Sequence, residues 1–203
     1  MRSILSTFFL CFLILGFSSA ASVAAPDPVE QIRPVVEKIS HMILDPKYKA
    51  LSQKEQFAQF LVAAKECFDF DEMSKRVLGP QWNSLSAEQK SVFVDRFTSL
   101  LGHTYIDKID SYTGQPIVYG KARVKGTRAE VPTFLQNGST TVPISYIMQL
   151  DEGEWMAYDL VVENISLVRN YMEQLRSILQ RDGYDGLIKQ IEEKIAVLEQ
   201  HKA

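Results

Sequence analysis

Residues 154–176 read Glu154-Trp-Met-Ala-Tyr-Asp-Leu-Val-Val-Glu-Asn-Ile-Ser-Leu-Val-Arg-Asn-Tyr-Met-Glu-Gln-Leu-Arg176, a strand that runs through Asn164 into an amphipathic helix. Strict alternation puts Trp155, Ala157 and Val161 on one face and Met156, Tyr158, Leu160 and Val162 on the other. Both faces are apolar. A strand of that kind needs cover twice, from a second layer on one side and from helices or an apolar ligand on the other.

Upstream of this stretch lie three further extended segments. Pro116–Val124 and Arg128–Gln136 are expected strands, and Asn137-Gly138 is a strong hairpin signal. Thr140–Leu150 follows and connects to Glu154–Val162 through the turn Asp151-Glu152-Gly153. From Val142 to Leu150 every even position is apolar, which commits one face to an interior. Pro132 and Pro143 fit best at an edge or a bulge, because proline cannot donate to a ladder.

Helices flank the strands. Val29, Ile32, Val36, Ile39 and Ile43 recur at helical spacing up to Pro46, and a second helix starts near Ser52. A third covers Asp71–Leu78 and stops at Gly79-Pro80. Ser86-Ala-Glu-Gln89 has capping-box spacing and opens a fourth helix to about Asp110, with Phe93, Phe97, Leu100, Leu101, Tyr105 and Ile109 along one side. Two C-terminal helices, Ser166–Arg181 and Tyr184–Gln200, separate at Asp182-Gly183. The sum is an α+β domain: a curved four-stranded antiparallel sheet covered by N- and C-terminal helices.

Periodicity leaves open whether side chains fill the interior or an apolar pocket remains there. The number of large residues expected to converge favours a pocket. Phe93, Phe97, Tyr105, Phe134, Tyr146, Trp155, Tyr158 and Tyr171 are aromatics, and the polar tips of Tyr and Trp suit a pocket mouth.

The N-terminus reads as an export signal. Met1-Arg2 precedes an apolar core from Ile4 to Phe17, and small residues lead to Ser22-Val23-Ala24, an A-x-A-like cleavage site. That core is shorter than the ~20 residues of a spanning helix. The organisation expected is therefore a cleaved signal peptide at 1–24 and one domain at 25–203, with cleavage near Ala24. Loss of Arg2 leaves 21 of the 22 basic residues against 25 acidic ones, a net charge of −4. Nucleic acid, which favours a basic stripe, is not an expected partner. Of the two cysteines only Cys67 survives cleavage, so an intramolecular disulfide is excluded, and its apolar surroundings read as core.

Catalytic patterns are sparse. His41, His103 and His201 are far apart and lack companions at metal-ligand spacing. No phosphate-binding glycine loop and no Gly-x-Ser-x-Gly elbow occurs. Asp159 is the one carboxylate that could act as a general acid/base in a cavity enzyme; the competing reading has it bonding to backbone or to a Tyr at the junction, or facing solvent. No catalytic residue, metal site or cofactor is assigned.

The opening stretch, Trp-x-x-Tyr-Asp followed by Val-Glu-x-Ile-Ser-Leu-Val-x-Asn-Tyr, resembles the periplasmic lipid-carrier component of the Mla phospholipid transport system, also called the toluene-tolerance or organic-solvent-resistance ABC-transporter auxiliary family. Phe68-Asp-Phe-Asp-Glu-Met-Ser74, Val77-Leu-Gly79, Trp82, the Ser86–Phe93 pattern, Val142-Pro-Ile-Ser-Tyr146 and Gly183-x-x-Gly186-Leu-Ile188 continue the likeness over most of the mature chain. One position departs: Met172 stands where the family commonly has Arg.

The resemblance implies a periplasmic carrier of diacyl phospholipid that maintains lipid asymmetry and organic-solvent tolerance, with bound lipid as cargo. Its implied partners are an outer-membrane lipoprotein–porin complex and an inner-membrane ABC transporter with its periplasmic substrate-binding ring, and a monomer is expected. The lipid-binding residues expected are Phe93, Phe97, Leu101 and Tyr105 from the fourth helix and Phe134, Val142, Ile144, Tyr146 and Met148 from the strands. Trp155, Tyr158, Leu160, Val168 and Tyr171 complete them. A hopanoid or other isoprenoid lipid is the alternative cargo.

Overall fold

Short polar side chains set where the helices begin. In the computed structural model, which describes residues 25–200, Asp27 caps α1 (Pro28–Leu44), accepting from the Val29 amide at 2.8 Å. Asp45 starts the short α2 (Pro46–Lys49), which the sequence reading did not separate. Ser52 and Glu55 form a reciprocal capping box at the head of α3 (Gln53–Ala64), and Asp69 caps α4 (Phe70–Leu78). A 3-10 segment, Gly79–Ser84, leads to α5 (Ala87–Asp110), where the Ser86 hydroxyl accepts from the Gln89 amide at 3.1 Å as the spacing predicts. The expected signal peptide and His201 lie outside the described residues. No helix among the described residues is long and apolar enough to cross a membrane.

The antiparallel sheet has six strands rather than four. They are β1 (Ile117–Tyr119), β2 (Arg123–Lys125), β3 (Arg128–Asn137), β4 (Thr140–Asp151), β5 (Glu154–Val162) and β6 (Ile165–Ser166). The order is β1-β3-β4-β5-β6, and β2 also pairs with β3. The expected first strand is thus one edge interrupted between Tyr119 and Arg123. The cause is opposite the gap. The Pro132 carbonyl accepts from the Gly120 amide at 2.8 Å, so the missing proline N–H falls where the ladder breaks. A Cβ on Gly120 would stand 2.9 Å from the Pro132 ring, which keeps the approach open only to glycine. Pro143, accepting from Glu163 beyond the end of β5, likewise loses no ladder bond.

A second correction concerns β5. The β4–β5 register shifts between Ile147 and Met148: Met148 faces Ala157, whereas Ile147 faces Asp159, so Tyr158 is the extra residue of a bulge. Downstream of it every side chain changes face. Leu160 and Val162 therefore join Trp155 and Ala157, and Val161 moves to the side of Met156. Strict alternation had placed them the other way.

Two hydrophobic cores result. In the first, α1 lays Val29, Ile32 and Val36 on one face of the sheet, here called the inner face, against Ala129, Val131, Met148, Trp155 and Ala157. In the second, α4, α5 and α6 (Leu167–Gln200) pack on one another through Met73, Val77, Phe93, Phe97, Tyr171 and Leu187. This helical core stands beside β5. Phe68 bridges to Ala157 at the strand's free edge and packs against both cores. Helix α6 breaks at Gly183 (φ 70°, ψ −173°), a left-handed position suited to glycine, at the separation the sequence predicts. α3 joins α5 where the Phe57 ring lies on Gly102 and 5.2 Å from the His103 ring.

Candidate apolar binding face

Pairing across the strands arranges the inner face in rows. Ala129, Met148 and Ala157 form the first, beside the Leu150–Trp155 pair. Val131, Tyr146 and Leu160 form the second; Tyr119, Thr133, Ile144 and Val162 the third; Ile117, Leu135 and Val142 the fourth. Burial falls along this series. Met148, Val131 and Ala157 are fully buried, and Thr133 nearly so, whereas Leu160, Ile144, Val162, Leu135 and Val142 are only half-buried. One half of the face is core, and the other half offers apolar side chains without full cover.

Hydrogen bonds pin the covered half. The Trp155 indole N–H donates to the Pro26 carbonyl at 2.7 Å, and its backbone N–H donates to Gln31 Oε1 at 2.8 Å. The Thr133 hydroxyl, held on the sheet, donates to the Ile144 carbonyl at 2.9 Å. Cys67 is buried, and desolvation pushes its thiol up to about 12, so it stays protonated at neutral pH and acts as an inert packing residue. Burial pushes the Tyr119 phenol up to about 12 as well, and raises Tyr146 further. The polar groups of this face are therefore neutral. It can hold an apolar chain and offer uncharged hydrogen-bond donors.

The residues expected to bind lipid divide into three sets. Val142, Ile144, Tyr146, Met148, Trp155 and Leu160 share the inner face. Phe93, Phe97, Leu101, Tyr105, Val168 and Tyr171 belong to the helical core or pack against it. There Phe93 and Phe97 stack at 5.6 Å between centroids, and Tyr171 meets Phe97 edge-on at 5.2 Å. The Tyr171 hydroxyl lies 3.3 Å from Thr104 Oγ1, and Tyr105 is pushed up to about 12 by burial and by Tyr171. Phe68 links the two sets, its ring 6.1 Å from that of Tyr146. Phe134 and Tyr158 belong to neither. Phe134 pairs with Pro143 on the opposite side of the sheet, and Tyr158, displaced by the bulge, lies under the Arg76 guanidinium at 3.7 Å. Arg76 also reaches Gln149 Oε1, on that same opposite face, and Glu72.

Sequence reasoning missed Phe68 as a bridge, and Tyr119, Leu135 and Val162 as members of the exposed rows. Period-two alternation in 128–137 carried part of that signal. The bulge hid the rest.

Asp159 is buried and fully engaged. One carboxylate oxygen accepts from the Ser166 hydroxyl at 2.5 Å, the other from the Val168 amide at 3.0 Å. Ser166 in turn accepts from Arg169 N–H at 3.0 Å. Together they close the N-terminus of α6, where a carboxylate is also favoured by the helix dipole. This arrangement matches the backbone-bonding alternative for Asp159. Among the described residues no three His, Cys, Asp or Glu side chains gather as a metal site. Two open surface grooves, of about 380 and 420 Å³, carry charged side chains at their walls, the first Glu88, Asp185 and Glu192, the second Glu72, Lys75 and Arg76.

Comparison with known proteins agrees with this fold. The family model described as MlaC protein matches residues 33–193. The chain is 26% identical over 124 residues to the intermembrane phospholipid transport system binding protein MlaC of Haemophilus influenzae, covering 58% of each chain. It is 26% identical over 120 residues to the toluene tolerance protein ttg2D of Pseudomonas putida, covering 58% of this chain and 56% of that one. The matches thus span a little over half the length of these relatives. A phospholipid-binding protein from Ralstonia solanacearum, solved in complex with a phospholipid, superposes with a TM-score of 0.78 at 22% identity over 86% of this chain and 99% of the other.

Proposed function

The chain belongs to the MlaC protein family, and from that premise we propose that it is a periplasmic carrier of diacyl phospholipid. The observation that carries the reading is the uncovered half of the inner face, where Ile144, Leu160, Val162, Leu135 and Val142 stand half-buried on a rigid sheet. Two acyl chains contain roughly thirty methylenes, each worth about 0.8 kcal/mol when withdrawn from water. A soluble carrier must therefore offer a dry apolar surface of matching length. The phenols and the thiol on it are neutral and add no charge of their own.

The acyl chains lie across the third and fourth rows. The helical-core residues Phe93, Phe97, Leu101 and Tyr171 reach a lipid only if α5 and α6 move relative to the sheet, since Phe93 and Phe97 have no exposed surface. Tyr105, half-buried, needs the least motion. Headgroup selectivity is weak in this reading, because the binding energy comes from chain burial. The carrier is exported with cleavage near Ala24, works as a monomer without cofactor, and exchanges lipid with an outer-membrane lipoprotein–porin complex and an inner-membrane ABC transporter.

Organic extraction of the exported, purified protein tests the cargo class. One diacyl phospholipid per chain is the expected result. An isoprenoid in its place would reassign the cargo, and protein free of any lipid after mild purification would contradict the carrier reading.

A further inference from the structure

Tyr119 is a third-row residue of the inner face, paired with Thr133, which is paired in turn with Ile144. Its hydroxyl is buried and has no hydrogen-bond partner among the described residues. Such a group is costly to keep, because a donor withdrawn from water and left unpaired forfeits its hydration. Its neighbour Thr133, by contrast, is satisfied by the Ile144 carbonyl. The Tyr119 ring is fixed from outside: the Arg33 guanidinium of α1 lies 4.3 Å from its centroid. Its phenol is thus held on the face proposed above for acyl chains, at the row where cover begins to fail.

We infer that, once lipid displaces the side chains that bury it, the Tyr119 hydroxyl donates a hydrogen bond to an ester carbonyl of the bound diacyl lipid, which makes it a specificity-determining residue of the carrier. The inference rests on the carrier reading of the inner face. A neutral acceptor suits the position better than the lipid phosphate. The site is desolvated, and the nearby Glu37 carboxylate acts on Tyr119 in the sense that disfavours further negative charge, against the opposing pull of Arg33. An ester carbonyl brings an acceptor without a charge and sits where the apolar chains begin. A donor at this point also fixes how far the chains slide into the site. An apolar residue there could not do so.

The test is a competition. The mature protein and its Tyr119→Phe variant are each incubated with an equimolar mixture of a diacyl phosphatidylglycerol and its diether counterpart, matched in chain length and headgroup. Native mass spectrometry then reads the ratio bound. One net hydrogen bond corresponds to a preference of about three- to ten-fold. The wild type should prefer the ester lipid by that factor, and Tyr119→Phe should bind the two nearly equally. The same ratio in both proteins overturns the inference, including the case where the variant loses both lipids alike. Neither lipid on either protein instead removes the carrier reading on which it rests. A second readout is the lipid-free melting temperature. Deleting an unpaired hydroxyl should leave it unchanged or slightly raised, and a drop of more than a few degrees would mean that the hydroxyl has an internal partner, again overturning the inference.

Discussion

The helical core and the inner face of the sheet contain similar side chains, yet they are finished differently. Around Phe93, Phe97, Tyr171 and Leu187 the helices meet on all sides, and the aromatic rings are stacked or edge-on with no exposed surface in the middle. On the inner face α1 covers the Met148–Trp155 end and leaves the Ile144–Val142 end half open. Equal hydrophobicity therefore serves two ends. Closed packing supplies stability, whereas the open rows cost some of it and are available to a ligand.

The sharpest way to break this division is to damage each region and compare. Phe97→Ala removes a fully buried ring and should cost about 3–5 kcal/mol in urea or guanidinium unfolding. Asp159→Ala strands the Ser166 hydroxyl and the Val168 amide at the start of α6, for a loss of roughly 2–3 kcal/mol by the same measurement. Asp159→Asn keeps an acceptor and should lose less, with lipid content unchanged. A variant that keeps its stability but loses a turnover would reinstate Asp159 as an acid/base.

Gly102→Ala probes the joint between α3 and α5. The added Cβ would fall 1.7 Å from the Phe57 ring, so the ring must leave its seat, at about 1–3 kcal/mol. The smallest effect is a pH dependence on the opposite face of the sheet. The hydrogen bond from Arg123, followed by that from Ser145, holds the Glu130 carboxyl below the usual carboxylate range. A carboxyl whose folded value is depressed stabilises above its unfolded value and loses that contribution as pH falls through the folded one. Arg123 is 71% exposed, so solvent screens the pair and its contribution is small. Glu130→Gln should flatten the acid limb of the stability curve slightly below about pH 4.5 and leave neutral-pH lipid binding alone.

How much of this the chain announces depends on the kind of signal. Ser52 and Ser86 mark helix starts because capping uses local side-chain chemistry, and those boundaries agree with the structure, whereas the Asp69 cap puts the start of α4 one residue before the expected Asp71. Pro132 and Pro143 flagged irregular pairing for a similar reason. The bulge at Tyr158 left no such mark. A strand apolar on both faces gives alternation nothing to anchor, so one inserted residue silently reversed Leu160, Val161 and Val162. Tyr158 already fell opposite Trp155 and Ala157 by alternation, and pairing alone took Phe134 off the inner face. Tyr119 was invisible because its role depends on a partner strand and on α1, far away in sequence. Family motifs carried the lipid-binding expectation; they did not carry the geometry.

In the proposed carrier the open rows, not the closed helical core, hold the lipid. Ile144 lies in the third row and is half-buried, so Ile144→Asp should leave the fold intact while placing a charge where chains would lie. Native mass spectrometry of wild type and variant, purified side by side and matched by circular dichroism, decides the matter. One bound phospholipid per wild-type chain and none on Ile144→Asp is the expected result. Equal lipid occupancy of the two proteins would contradict it.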